Sequence, residues 1–162
     1  MSETTSAMIV GAGRGLGRGI ACAFAEEGGS VVAVSRTAAD LAEISGAGVR
    51  PEVADAAGPG VAERLLGRYA PTVLVLVAGA QPVLGPLQEQ TWETFSVNWE
   101  SDVRIAFHWL GAVLRAPLRP GPATGAVVAA LVEGRNPSTV AMATVVDLID
   151  VLAPIDERPV RI

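Results

Sequence analysis

Gly11-Ala12-Gly13-Arg14-Gly15-Leu16-Gly17 places four glycines within seven residues, directly after the apolar run Ala7, Met8, Ile9 and Val10. Where a strand runs into a helix, such a loop suits one chemistry. Glycines let the backbone turn sharply and approach an anion, and the unpaired N–H groups and positive end of the following helix hold it. The plainer alternative is a tight strand-to-helix turn with no ligand, although a bare turn seldom needs so many glycines. Arg14, inside the loop, carries a guanidinium that matches phosphate geometry, or else is simply solvated. Other chemistry is thinly represented. With one cysteine, Cys22, and one histidine, His108, no metal-ligand spacing exists, and none is expected.

The loop needs a strand before it and a helix after it, and the hydrophobic pattern supplies both. Residues 7–10 read as a buried strand, and residues 16–27 as a helix with Ile20, Ala21, Phe24 and Ala25 on one face, ended by Gly28 and Gly29. Residues 30–35 form a second apolar strand. It is followed by Ser35-Arg36, at the place where an acidic residue would hold the ribose hydroxyls of NAD and an arginine favours the added phosphate of NADP. A helix over 37–44, with Asp40 and Glu43 outward, a weaker strand over 49–54 and a helix over 59–69 come next. Residues 72–78 (TVLVLVA) make the strongest strand, so uniformly apolar that it must be covered on both faces and hence central.

After a Pro/Gly loop over 81–86, residues 91–115 run helical with at most a short break near Val97. Counting about 100° per residue, Trp99, Val103, Phe107, Leu110 and Leu114 form the main apolar stripe, while Ile105, Trp109 and Ala112 form another on the far side. One stripe covers the sheet; the other is buried against a second subunit or against another part of the domain. A connector over 117–124, a strand over 126–132, a mostly apolar helix over 138–153 and a short strand over 160–162 complete the chain. The pattern predicts one Rossmann-like domain over 1–162, a doubly wound parallel sheet in three α/β/α layers, with residues 1–6 as a flexible tail.

The glycine spacing is GxxxGxG, on Gly11, Gly15 and Gly17, and it resembles that of the short-chain dehydrogenase/reductase family. The resemblance continues at Asp55, where that family places an aspartate near the adenine. It extends to Val77-Ala78-Gly79, similar to the end of its NNAG motif, and to Asn98, similar to its asparagine at the start of the long helix. It covers about residues 7–132 and implies a nucleotide site built from Gly11, Gly13, Arg14, Gly15, Leu16, Gly17, Ser35, Arg36, Asp55, Ala78 and Gly79, with NADP(H) as cofactor and no metal. The catalytic part departs from the pattern. No hydroxyl lies between Ala126 and Val132, so Leu131 and Val132 stand where the family's serine belongs. The family's tyrosine and lysine positions fall on Ser138 and Met142. Tyr69 is the only tyrosine, and the chain contains no lysine, so no shift of alignment restores the pair. Leu76 and Val77 replace the two asparagines of NNAG. The chain ends near a sixth strand, before the segment that usually closes over substrate.

No other residue takes over plainly. His108 lies by phase with Arg104 and Arg115 and reads as a solvated or interface histidine. Asn98 either contacts a nicotinamide region through water or caps the long helix. Asp147 and Asp150 make a polar helix edge, and Trp92, Trp99 and Trp109 read as packing. At 162 residues, half of them hydrophobic and only 18% charged, the chain is a packed protein and its apolar excess invites a partner. A net charge of -5 argues against nucleic acid, no apolar run reaches a membrane span, and the first residues, MSETTS, lack a signal-peptide pattern, so a cytoplasmic location is expected. A homodimer or higher oligomer through helices 91–115 and 138–153 is expected. Three functions remain open: an NADP-binding protein, oxidoreductase by family, with weak, altered or absent redox activity; a non-redox cyclase, dehydratase or isomerase reusing the crevice; or a non-catalytic dimerising subunit or regulator.

Overall fold

Unbroken apolar strands need cover on both faces, and a computed structural model, which describes residues 5–46, 48–121 and 125–128, shows how that cover is arranged. Five parallel strands, β1 (Ser6–Val10), β2 (Ser30–Ser35), β3 (Val49–Val53), β4 (Val73–Leu76) and β5 (Gly125–Val128), lie in the order β3-β2-β1-β4-β5. Met8 pairs with Val32 on one side and Leu74 on the other, so side chains of one parity share a face across three strands. Met8, Val10, Val34, Leu74 and Leu76 build one core. Ala7, Ile9, Val31, Ala33, Val73 and Val75 build the other. This alternation makes β1 and β4 the buried centre of the sheet, as the composition predicts.

Helices α1 (Gly15–Glu26) and α2 (Ala38–Ala42) pack Ala21 and Leu41 onto the second core. The first core is covered by α3 (Val61–Tyr69), through Ala62, Leu65 and Leu66, and by α5 (Arg104–Arg115), through Ile105, Trp109 and Ala112. Before α5 come a single 3₁₀ turn (Leu87–Glu89) and α4 (Trp92–Asn98), which continues without a break through a π-helical turn, Trp99–Val103. No helix among the described residues is long and apolar enough to cross a membrane.

Two expectations change, and one left open is decided. Ser6 is strand rather than tail, and Thr5 is bonded to the sheet edge: the Ser30 amide donates to Thr5 at 3.1 Å, and Ser6 and Thr72 exchange backbone and hydroxyl bonds of 2.9 to 3.2 Å. Of the two stripes on the long helix, the main one leaves Trp99, Phe107 and Leu114 about half exposed, at 49%, 60% and 51%, although its Leu110 packs against the first core. The stripe through Ile105, Trp109 and Ala112 is the one that meets the sheet. The π turn, with its i→i+5 bonds, shifts the phase between α4 and α5. Among the three tryptophans only Trp109 packs in the core; Trp92 and Trp99 are exposed. The predicted end of the fifth strand (129–132), the helix over 138–153 and the strand over 160–162 lie outside the described residues.

Trp109 is fully buried and its indole Nε1 donates to the Ala56 carbonyl at 3.0 Å. Trp109→Ala should therefore cost about 3–5 kcal/mol, seen as a lower urea midpoint at unchanged slope in equilibrium unfolding.

Candidate functional site

In this strand order the chain reverses direction between β1 and β4, and the carboxyl ends of those strands open a crevice at the switch point. The glycine loop lies there. Gly11, at φ +100°, and Ala12 donate their amides to the Val34 carbonyl at 2.9 and 3.0 Å, which ties the loop to β2. A Cβ on Gly11 would stand 2.5 Å from the Ala78 nitrogen, and one on Gly17 would stand 2.1 Å from the Gly11 carbonyl oxygen. Loop, helix α1 and the exit of β4 thus touch backbone to backbone, at distances that no side chain allows. Gly13 is likewise backed by Ser35 and Asp40.

Helix α1 begins with its amides open. Its N-cap, Arg14, makes no side-chain cap, and no acidic residue stands in the first turn. The donors of that turn, from Gly15 through Leu16 to Gly17, have no carbonyl one turn back to receive them. Arg18 stiffens the loop from behind: its Nε donates to the Gly13 carbonyl at 3.1 Å, a terminal nitrogen reaches the Asp40 carbonyl at 3.4 Å, and the guanidinium pairs with Glu43. Glu43 stays exposed as expected while it pairs with Arg18, whereas Asp40 is half-buried, its Cβ lying behind Gly13. Arg18 was readable in principle, one helical turn after Arg14 on the same face.

The remaining predicted residues gather at the same edge. Ser35 backs Gly13 and the exposed Arg36 follows it. Asp55 is exposed at the exit of β3, its Oδ1 accepting from the Ala57 amide at 3.1 Å, and the next residue, Ala56, is the one fastened by Trp109. Ala78 abuts Gly11, and Gly79 is exposed. Nearly every described arginine has a partner: Arg18, Arg64, Arg68, Arg104 and Arg115 pair with glutamates, Arg50 stands over the Tyr69 ring, and Arg119 donates to Ser6. Among the described residues Arg14 and Arg36 alone carry guanidiniums with no such contact.

Asn98 caps nothing. The cap of α4 is Thr91, which exchanges bonds with Thr94 in a capping box. Asn98 is buried, and its Nδ2 donates to the Ala80 carbonyl at 2.9 Å and to Asp102 Oδ2 at 3.1 Å, while Asp102 Oδ1 accepts from the Ala80 amide at 2.8 Å. Asp102, absent from the sequence-based candidates, sits in the π turn. Burial pushes its carboxyl above the ordinary aspartate range, against the opposing pull of the Ala80 amide, Asn98 and Ser101. Its sequence signal was the i+4 spacing from Asn98. His108 is half-buried beside Phe107, ring centroids 5.7 Å apart, and Tyr69 donates its hydroxyl to Glu52 at 2.6 Å, which raises the phenol pKa. Ser138, Met142, Leu131, Val132, Asp147 and Asp150 lie outside the described residues.

No protein-family model matches the chain. It is 35% identical over 123 residues to L-xylulose reductase of Homo sapiens, covering 75% of this chain and 50% of that protein. Against carbonyl reductase [NADPH] 2 of Sus scrofa it is 32% identical over 117 residues, covering 71% and 48%. A short-chain dehydrogenase structure from Streptomyces avermitilis superposes with a TM-score of 0.62 at 27% identity, over 71% of this chain and 45% of that one. The chain belongs to the short-chain dehydrogenase/reductase family. The family's fold is matched more widely still by a short-chain dehydrogenase/reductase from Vibrio parahaemolyticus, with a TM-score of 0.72 at 19% identity over 90% of this chain and 73% of that one. This short-chain dehydrogenase/reductase chain spans about half the length of the curated relatives it matches, 48–50% of the two above.

The glycine loop combines close backbone approach with open amides. Gly17→Ala should lower stability by about 1–3 kcal/mol through overpacking, because its new methyl meets the Gly11 carbonyl. Gly19→Ala, in the same helix but facing open space, should leave the melting temperature equal or higher. Thermal unfolding of both variants checks the contrast.

Proposed function

We propose that this chain binds NADP(H) at the β1/β4 crevice and that the ordinary redox catalysis of its family is weak or absent here. The observation that carries the reading is the pairing pattern of the arginines: Arg14 and Arg36, with no acidic contact among the described residues, stand at the uncapped start of α1 and the exit of β2. The open amides from Gly15 to Gly17 would hold the pyrophosphate, Arg36 with Arg14 the ribose phosphate, and Asp55 the adenine side, with Ala78 and Gly79 forming the opposite wall. One relative carries NADPH in its printed name, carbonyl reductase [NADPH] 2, which agrees with an arginine in this position.

NADPH, when bound, supplies a hydride. A carbonyl that accepts one also needs a proton, and the residues aligned with the family's donor pair are Ser138 and Met142. A serine hydroxyl has no tendency to ionise near neutral pH and methionine cannot lower its pKa, so the pair is a poor proton source. What remains intact is binding and orientation. Calorimetric titration should give NADPH at least about tenfold tighter binding than NADH, and Arg36→Ala should remove most of that preference. If neither nucleotide binds, the reading is wrong.

A second reading, a dimerising subunit in which nucleotide is a ligand and not a reactant, is favoured by one observation. Trp92, Phe95, Trp99, Phe107 and Leu114 lie 49–69% exposed along α4, the π turn and α5. So many large apolar side chains on one continuous helical segment exceed what a solvated surface usually shows, and a two-fold self-contact would cover them. Sedimentation at tens of micromolar should report a dimer or larger species that Trp99→Glu dissociates; a monomeric wild-type chain excludes this reading.

A further inference from the structure

Around the crevice, one feature is costly to the fold and is not used by the nucleotide reading. The exit of β4 leaves the sheet at Ala78, against Gly11, and turns through Gly79 and Ala80. That turn is held from the helical side by two side chains. Asp102 Oδ1 accepts from the Ala80 amide at 2.8 Å, Asn98 Nδ2 donates to the Ala80 carbonyl at 2.9 Å, and Asn98 also donates to Asp102 Oδ2 at 3.1 Å. Both backbone groups of Ala80 are therefore gripped by one amide–carboxylate pair. A Cβ on Gly79 would stand 3.1 Å from Asp102 Oδ1, so the carboxylate fills the space that a side chain there would take. Asn98 closes α4 and Asp102 sits in the π turn, a wider turn that local packing seldom produces without a role.

The groups facing this carboxylate are neutral. From its own helical segment they are Asn98 and Ser101, and from the packed turn Gly79 and Ala80. The neighbouring charges, Glu100 and Arg104, are about half exposed and pair with each other. Among the described residues no cation contributes to the state of Asp102. The raised carboxyl means that folded protein holds this proton more tightly than unfolded chain, so the group's contribution to stability falls as pH rises through its folded pKa. At neutral pH an ionised Asp102 thus costs the fold stability, and its presence calls for another explanation.

We infer that Asp102, acting with Asn98, is a positioning residue that sets the Gly79–Ala80 turn as the β4 wall of the crevice, firmly when the carboxylate is ionised and loosely when it is protonated. The ionised form makes the stronger, charge-assisted bond to the Ala80 amide. The consequence for binding rests on the NADP(H) reading; the clamp itself does not.

The test begins without nucleotide, following the Ala80 amide resonance of the whole chain by NMR across pH 3.5 to 8. In wild-type protein that resonance should titrate with a midpoint above the ordinary aspartate range, and in Asp102→Asn the titration should vanish. An Ala80 resonance that does not titrate in the folded wild-type chain overturns the clamp, and this arm needs no variant to fold. Calorimetry then compares NADPH affinity at pH 7. Asp102→Asn should weaken it about three- to tenfold, and wild-type affinity should fall as pH drops through the same midpoint. Unchanged affinity in a folded Asp102→Asn, whose Ala80 no longer titrates, overturns the role in positioning. Titration of Ala80 in wild type with no NADPH binding at all supports the clamp and overturns the nucleotide reading instead.

Discussion

Three backbone segments meet at the mouth of the sheet with no side chain between them. Gly11 lies against Ala78, and Gly17 lies against the carbonyl of Gly11. Because neighbouring strands are fixed about 4.8 Å apart by their ladder, this contact can form only if the loop and the first turn of α1 have no Cβ to interpose. It brings the start of α1 directly over the ends of β1 and β4. The open amides of the helix then face the crevice, with Ser35, Arg36, Asp55, Ala78 and Gly79 along the same edge.

The walls of the crevice are fastened by the helical segment that also fills a core. Trp109 of α5 is buried among Val10, Leu74 and Leu65, and from there its indole reaches Ala56, beside Asp55 at the exit of β3. About two and three turns earlier, Asp102 and Asn98 grip the exit of β4. Strand ends are loops by nature and would otherwise be loose; here two of them are tied to a helix whose position is set by hydrophobic burial. Packing energy in the core is thereby transmitted to the geometry of the edge.

Charge is distributed unevenly over the same framework. Away from the crevice the arginines are balanced by glutamates: Glu52 takes both Arg64 and Arg68, and Glu63 takes Arg115. These pairs are mostly exposed and contribute little to stability individually. At the crevice the balance lapses in two ways. Among the described residues, Arg14 and Arg36 lack such partners and the carboxylate of Asp102 is held only by neutral dipoles. The first pair underlies the proposed nucleotide site, and the second the proposed clamp on the β4 wall.

The sequence by itself determined the sheet and the loop. Apolar runs such as VLVL in β4 admit no face that water could touch, and GxxxGxG after a strand admits few backbone paths, so local composition was enough for the strands themselves, the central place of β4 and the strand-to-helix turn, while the order of the strands came from the tertiary structure. Tertiary structure alone decided which stripe of the long helix is buried, because the stripe through Ile105, Trp109 and Ala112 and the stripe through Phe107, Leu110 and Leu114 are alike apolar and only docking on the sheet tells them apart. It also decided that Asn98 grips Ala80 and caps no helix, and that Arg18 and Asp102 matter at all. Those roles depend on which carbonyl or amide lies within about 3 Å, and residues far apart in the chain acquire that proximity only when the helices dock on the sheet.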